Sequence, residues 1–317
     1  MGFGRARLCA AILIAGLAGG LAGCVTTPPA VTPKPAPKAP ARPAEISAPA
    51  TVESAAARAY YAQVQQSLLS QGLLRTDGGG PDTPYTDRML AENFIRIALY
   101  DEYTRSPGGP VQREAASHLR RWQDPVRVAV HFGASIPPSQ QATDKARIGS
   151  FLSRLARITG HKIGLDQANP NFTIYMVSED ERRTLGPRIM AEMPGLSRAE
   201  VDQITNLPRS TYCLVYAVSK DGSYAYSSAM ALVRAEHPDL LRLSCIHEEI
   251  TQGLGLANDS PQARPSIFND DEEFATLTSQ DELMLRILYD PALRPGMTEA
   301  EARPIVEQLA TQLMGSS

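Results

Sequence analysis

Residues 238–259 read PDLLRLSCIHEEITQGLGLAND, and the spacing in this stretch predicts a helix followed by a sharp turn. Apolar residues recur at steps of three and four, which is the period of a helix with one apolar face. They are Leu240, Leu241, Leu243, Ile246, Ile250 and Leu254. Pro238 suits the first helical turn, where its missing N–H costs nothing. Gly253 and Gly255 predict that the helix ends near Leu254.

Polar side chains are concentrated at the end of this predicted helix. Glu248 and Gln252 are four residues apart, so they share one helix face, and Glu249 lies beside the first of them. Asn258 and Asp259 follow just past the end. The pattern has two interpretations: a solvated helix face, or a group of donor side chains that form a site.

The stretch resembles the active-site helix of the zincin metallopeptidases, specifically the metzincins. Their motif HExxHxxGxxH supplies two zinc ligands one turn apart, a glutamate base, a glycine turn and a third ligand. Aligned from Glu248, the resemblance places Glu249 on the base, Gln252 on the second ligand, Gly255 on the glycine and Asn258 on the third ligand. All three ligand histidines are therefore replaced, by Glu, Gln and Asn.

Two later segments extend the resemblance. Residues 265–269 (PSIFN) occupy the place of the metzincin methionine turn, with Phe268 where the methionine would be. Residues 277–291 (LTSQDELMLRILYDP) resemble the final helix of the matrixins, with a capping box at residues 279–282. The same segments resemble a bacterial lipoprotein family of unknown function with a zincin-like domain, domain-of-unknown-function family 2927.

The resemblance covers roughly residues 125–292 and implies an α+β zincin fold, with a mixed twisted sheet and an active-site helix. Patterning predicts the elements this fold needs. They are strands at 126–132, 172–177, 212–218 and 224–233, a helix at 139–159, and a short helix opened by a capping box at Ser197–Glu200. A last amphipathic helix is predicted from a cap at Thr298 to about residue 313.

The N-terminal part of the chain predicts a membrane anchor. Residues 1–23 combine Arg5 and Arg7 with an apolar run, as a secretory signal does. The run ends in LAGC at 21–24, which resembles the bacterial lipobox and implies diacylglycerol on Cys24 and an outer-membrane location facing the periplasm. The alternative is an ordinary cleaved signal with an incidental cysteine. The apolar run is too short to span a bilayer comfortably.

Composition divides the rest of the chain into three parts. Residues 24–50 are mostly Pro, Ala and Thr and predict a semi-rigid tether. Residues 51–124 predict a helical region, with helices at about 53–71, 85–105 and 110–122. Residues 125–317 predict the zincin-like domain with C-terminal helices.

Two of the four cysteines remain once Cys9 and Cys24 are assigned to the signal and the anchor. Cys213 and Cys245 would mature in an oxidising compartment, and one pair allows one connectivity, so we predict a Cys213–Cys245 disulfide. Free buried thiols are the alternative.

The cofactor is not determined by these residues. Five histidines are present and no two are four residues apart, so no zinc site of the usual peptidase type is predicted. Oxygen donors at Glu248, Gln252 and Asn258, or Asp259 in place of Asn258, suit a hard divalent cation or none. His247 and Cys245 lie on different helix faces, so His247 is predicted to be a core or surface residue. The acidic run at 269–273 has two interpretations, a calcium site or a solvated loop, and its lack of EF-hand spacing favours the solvated loop.

Three functions follow from these observations. The first is an anchored lipoprotein whose degenerate, non-catalytic peptidase-like domain binds a peptide or an envelope protein in its cleft. The second is a working metal-dependent hydrolase with an atypical oxygen-ligand site and Glu249 as general base. The third is a structural envelope lipoprotein that contacts another membrane component through residues 51–124. A net charge of −3 without a basic cluster argues against nucleic acid as a partner.

Overall fold

The fold is mixed α/β with a mostly parallel sheet. A computed structural model describes residues 50–106, 109–220, 222–269 and 271–315, with the backbone alone for 102–114. The signal, the tether and Cys24 lie outside the described residues. The helices are α1 Val52–Ser70, α2 Asp87–Ala98, α3 Pro138–Thr159, α4 Glu179–Arg183, α5 Gly186–Glu192, α6 Arg198–Thr205, α7 Asp239–Gln252, α8 Ser279–Leu288 and α9 Glu299–Gly315. The strands are β1 Tyr100–Ser106, β2 Gly109–Ala116, β3 Arg121–Trp122, β4 Val126–Phe132, β5 Ile163–Leu165, β6 Phe172–Val177, β7 Cys213–Ser219 and β8 Ala225–Arg234.

The central sheet has the order β5-β4-β6-β8-β7. The pairs β4–β5, β4–β6 and β6–β8 are parallel, while β7 runs antiparallel to β8 at one edge. The two residues of β3 pair in parallel with the start of β8. All six residues of β6 are buried, because a parallel strand covered by helices on both faces excludes water from both sides.

Each face of the sheet has its own apolar core. Ile174 and Met176 of β6 point into the larger core, which also contains side chains of α2, α3, α7, α8 and α9. Tyr175 and Val177 point to the other face, where α5 and α6 pack. This alternation follows from the two-residue period of a strand, and it leaves α7 on the side of the larger core.

Most of the predicted elements in the second half of the chain are confirmed. The strands at 126–132, 172–177, 212–218 and 224–233 and the helix at 139–159 are present within one or two residues. Ser197 and Glu200 form the predicted capping box. The capping box of α8 lies one residue earlier than predicted, because Thr278 and not Ser279 accepts from the backbone N–H of Asp281.

The predicted helix at 110–122 is wrong. The chain forms a β-hairpin there, with Asp101 opposite Ala115 and Thr104 opposite Val111. For the same reason α2 ends at Ala98, earlier than predicted. The run at 113–116 (REAA) favours a helix locally, but strand pairing with a β-prone partner segment overrides that weak preference.

Helix α1 is confirmed and packs against the N-terminal end of α7. The side-chain oxygen of Gln65 accepts from the backbone N–H groups of Leu240 and Leu241, at 3.1 and 3.0 Å. It thereby caps a helix whose own N-cap residue, Pro238, offers no side-chain acceptor. Ser54 adds a buried 2.6 Å hydrogen bond to Glu236. None of the helices in the described part of the chain combines the length and apolar character needed to cross a bilayer.

Candidate functional site

The C-terminal end of α7 is held in place by side chains from other elements. Trp122 donates from Nε1 to the carbonyl of Gly253 at 2.8 Å, and the Tyr289 hydroxyl donates to the carbonyl of Leu254 at 3.0 Å. These two bonds satisfy carbonyls that a helix end leaves without intrahelical partners. Gly255 then turns the chain with φ of 125°, in the region that favours glycine. The helix and turn predicted from residues 238–259 are therefore present.

Two carboxylates and a disulfide converge at the C-terminal half of this helix. Ligand atoms of Glu248, Glu249 and Cys213 all lie within 4.8 Å of one another. Cys213 is bonded to Cys245, as predicted, and the bond ties edge strand β7 to α7. Glu249 is 3% exposed and Glu248 is more accessible, so only part of this group faces solvent.

The segment after the helix brings Asp259, and not Asn258, to this group. Gln252 donates from Nε2 to Asp259 Oδ1 at 2.8 Å. Asn258 is 2% exposed, and its Nδ2 donates to the carbonyl of Arg96 at the end of α2. Of the two candidates for the third donor, Asp259 therefore lines the cleft, whereas the side-chain oxygen of Asn258 is buried without a hydrogen-bond partner among the described residues. Its amide links the turn to α2, and the neighbouring carboxylate takes the position beside Gln252.

A small cleft of about 110 Å³ opens between these residues and the loop that follows. It is lined by Glu248, Asp259, Ile267, Asn269 and Glu272. Sequence reasoning missed the last two because it assigned the acidic run at 269–273 to a solvated loop. The loop is partly buried: Asn269 is 7% exposed and donates to the carbonyl of Ala263 at 3.1 Å.

The turn at Phe268 forms the base of this loop. Phe268 is fully buried, and its carbonyl accepts from the backbone N–H of Ser260 at 2.8 Å. Asp281 stabilises the turn through two hydrogen bonds. Its carboxylate accepts from the Ser266 hydroxyl at 2.6 Å and from the Ile267 N–H at 3.1 Å. Complete burial raises the pKa of Asp281 to about 6, although these hydrogen bonds oppose the shift.

The histidines nearest the site belong to the core. His247 stacks on Phe151 with ring centroids 3.9 Å apart, and its Nδ1 accepts from the Leu277 N–H. Burial, with a smaller contribution from Arg154, lowers the pKa of His247 to about 3. Of the two predicted positions, core or surface, His247 therefore occupies the core.

The donor set does not fit the zinc ion of a metallopeptidase. In the described part of the chain, the converging ligand atoms are carboxylate oxygens and a sulfur already bonded in a disulfide, with no imidazole among them. What the site offers instead is concentrated negative charge, from Glu248, Asp259 and Glu272 around one small opening. Such a cleft attracts cationic side chains.

Comparison with known proteins gives one family and no individual relative. The model of a family described as "Protein of unknown function (DUF2927)" matches residues 87–308, which is more than two thirds of the chain. The match begins at α2 and ends within α9, so it contains the whole site and excludes α1. No significant match was found among curated proteins or among solved structures.

Proposed function

The chain belongs to the DUF2927 family, and we propose that it is a lipid-anchored envelope protein. Its zincin-like domain binds an extended, basic peptide segment without cleaving it. The observation that carries the proposal is the acidic cleft between α7 and the loop at 269–273, whose Glu248 lies beside Cys213 at the start of edge strand β7.

The order of the elements supports a zincin-like fold. The parallel strands β4, β5 and β6 are followed by the antiparallel edge strand β7, then by β8, which is parallel to β6, and then by a helix that ends in a glycine turn. The turn at Phe268 and helix α8 follow in the order expected from the metzincin resemblance. A hard divalent cation beside Cys213 would meet carboxylate oxygens of Glu248 and Glu249, and we assign the cleft no catalytic step.

Strand β7 provides the backbone surface for a peptide. All seven of its residues are partly exposed. Within the described residues it pairs only with β8, so its outer edge has no partner strand. An extended peptide binds such an edge through main-chain hydrogen bonds, while neighbouring pockets select its side chains. The disulfide at Cys213 places one end of this edge beside Glu248 and Glu249. A lysine or arginine near that end of the peptide would meet the acidic cleft.

We expect short extended peptides rich in lysine to bind the full chain. Glu248→Gln should weaken this binding about 3–10-fold, because one charge-assisted contact contributes about 1 kcal/mol. Fluorescence anisotropy of a labelled peptide at low and high salt measures the effect. Glu307→Gln, the loss of an exposed carboxylate on α9, is the matched control and should bind like the parent.

A backbone N-methylated copy of the peptide tests the strand pairing separately. It keeps the side chains but cannot donate main-chain hydrogen bonds, so it should not bind. Equal binding of the methylated copy would contradict pairing at β7. Cleavage of the peptide, lost in Glu249→Gln and on chelation, would support the hydrolase alternative instead.

The anchor is a separate part of the proposal and rests on the lipobox-like LAGC at 21–24, which is followed by the Pro/Ala-rich tether. We expect the full chain, expressed in a bacterium fed an alkyne fatty acid, to incorporate the label and to fractionate with the outer membrane. Cys24→Ala should lose both the label and the membrane association, because thioether-linked diacylglycerol supplies the hydrophobic attachment. Labelling that persists in Cys24→Ala would rule out this residue as the anchor.

A further inference from the structure

We propose that Cys213, Glu248 and Glu249 form a binding site for a divalent transition-metal ion of the zinc class, which the Cys213–Cys245 disulfide keeps closed. Reduction of the disulfide opens the site. The inference concerns ligand chemistry and is independent of peptide binding, so either proposal can fail without the other.

The three ligand atoms already lie close enough to share an ion. The sulfur of Cys213 and carboxylate oxygens of Glu248 and Glu249 are within 4.8 Å of one another. Two ligands of a tetrahedral zinc ion, at bond lengths near 2.0–2.3 Å, are separated by about 3.5 Å. Rotation of the Glu248 and Glu249 side chains can close the difference between this separation and the present distances between the ligand atoms. The donors also come from two elements, β7 and α7, which the sheet and the larger core hold side by side.

Charge and ligand softness identify the class of ion. Two carboxylates and a thiolate within a few ångströms repel one another, and a divalent cation offsets that repulsion. Carboxylates alone favour calcium or magnesium, whereas a thiolate adds the soft donor that selects zinc and similar ions. Releasing the sulfur of Cys213 therefore changes which ion these three side chains prefer.

The two sulfurs of the disulfide have different surroundings. Cys213 is partly exposed on the edge strand, whereas Cys245 is 1% exposed. Cys245 Sγ lies 3.7 Å from Nδ1 of His237, which is itself 2% exposed. After reduction the Cys245 thiol keeps this buried neighbour, so the Cys213 thiol is the one that faces the carboxylates. A disulfide sulfur carries no charge and is a poor ligand, so the oxidised protein lacks the third donor.

The opening step is a two-electron thiol–disulfide exchange with a dithiol reductant. A thiolate of the reductant attacks Cys213 Sγ, the Cys213–Cys245 bond breaks, and Cys245 leaves and takes up a proton. The second thiol of the reductant then attacks the mixed disulfide, becomes oxidised with the first to a disulfide, and releases Cys213. The second thiol loses its proton to solvent as it attacks, so Cys213 leaves as the thiolate that binds the metal ion.

Zinc titration of the full chain, with a chromophoric indicator as competitor, tests whether the disulfide controls metal binding. We expect the protein reduced with dithiothreitol, and freed of reductant without air, to bind one zinc ion per chain at least 100-fold more tightly than the oxidised protein. Cobalt in place of zinc should give the near-ultraviolet absorption of a sulfur–cobalt bond in the reduced protein only. Equal zinc affinity of the two forms, or a cobalt spectrum without sulfur absorption, would overturn the proposal.

Two single substitutions remove the disulfide equally but differ in the ligand they leave. Cys245→Ser frees the Cys213 thiol and should bind zinc tightly without any reductant, whereas Cys213→Ser lacks the sulfur donor and should not. Both variants lose the same cross-link, although only Cys245 is fully buried, so thermal melts first establish that each is folded. Zinc affinity in Cys213→Ser as high as in Cys245→Ser would show that sulfur is not a ligand.

Discussion

Gly255→Ala is expected to lower the free energy of unfolding by about 4 kcal/mol, which is exceptional for the addition of one methyl group. An ideal Cβ at this position would lie 2.2 Å from the backbone carbonyl oxygen of Arg120 and 3.1 Å from a methyl of Leu288. The first neighbour is main chain and cannot rotate away. The residue also has φ of 125°, which side chains rarely adopt, so backbone strain adds to the clash.

Gly160→Ala is the matched control for this prediction. Gly160 ends α3 with φ of 67°, also in the left-handed region, but nothing lies within 4 Å of its Cβ position. The control should therefore cost only about 1 kcal/mol, from backbone strain alone. Urea unfolding of both variants and the parent measures the difference between clash and strain. If the two substitutions had equal effects, the close approach of Arg120 to the turn would be wrong.

The turn at Gly255 matters for the site because it determines where the next segment goes. The chain reverses after α7, so Asp259 returns to within 2.8 Å of Gln252 on the helix it has just left. A displaced turn would separate these two side chains and remove one wall of the cleft. The turn at Gly255 therefore determines both the stability of this region and the geometry of the acidic cleft.

The elements that could be predicted from sequence are those whose local pattern and tertiary environment agree. Strand β6 is apolar at nearly every position and is buried on both faces. Helix α7 has a regular apolar period and a glycine stop, and both are used in the fold. The disulfide was predictable because only two cysteines remained to pair.

The features that local patterning did not decide, or decided wrongly, have a common physical origin in long-range contacts. The residues at 110–116 form a strand because a partner segment pairs with them, although several of them favour a helix. Asn258 and Asp259 are adjacent polar residues, and no local rule decides which faces the cleft. That choice is made by the carbonyl of Arg96, which accepts the Asn258 amide from another helix. Likewise, Glu272 became a cleft residue through contacts of its loop with residues far away in the sequence.

The protein is expected to lose about 2–3 kcal/mol of stability between pH 7 and pH 5. Burial lowers the pKa of both His237 and His247 to about 3, from an ordinary value of 6.5, so the fold favours their neutral forms. The stabilisation is present above pH 6.5 and is lost as the pH falls from there toward 3. Taken alone, each histidine removes about 2 kcal/mol of stability between pH 7 and pH 5, and the net loss is smaller because Asp281 opposes it.

Asp281 acts in the opposite direction over the same interval. Its folded pKa of about 6 lies above the ordinary 3.8, so its stabilising contribution is complete below pH 3.8 and is lost as the pH rises through 6. Lowering the pH from 7 to 5 therefore raises the Asp281 contribution to the free energy of unfolding by about 1.3 kcal/mol. This gain is smaller than the loss from the two histidines. Glu179 does not alter this balance. Burial opposes its ionisation, but Arg182 and Arg234 hold its pKa below 4.5, so its contribution declines only at lower pH.

Urea unfolding at pH 7, 6 and 5 separates these contributions. His247→Gln keeps an acceptor for the Leu277 N–H but cannot take up a proton, so its stability should fall about 2 kcal/mol less than that of the parent over this range. Asp281→Asn should show the reverse, a steeper fall, because the compensating carboxyl is gone. The comparison is made between slopes, so any loss of packing that is constant with pH cancels. A parent whose stability is level from pH 7 to pH 5, together with an unchanged slope in His247→Gln, would mean that the histidine is not held neutral by the core.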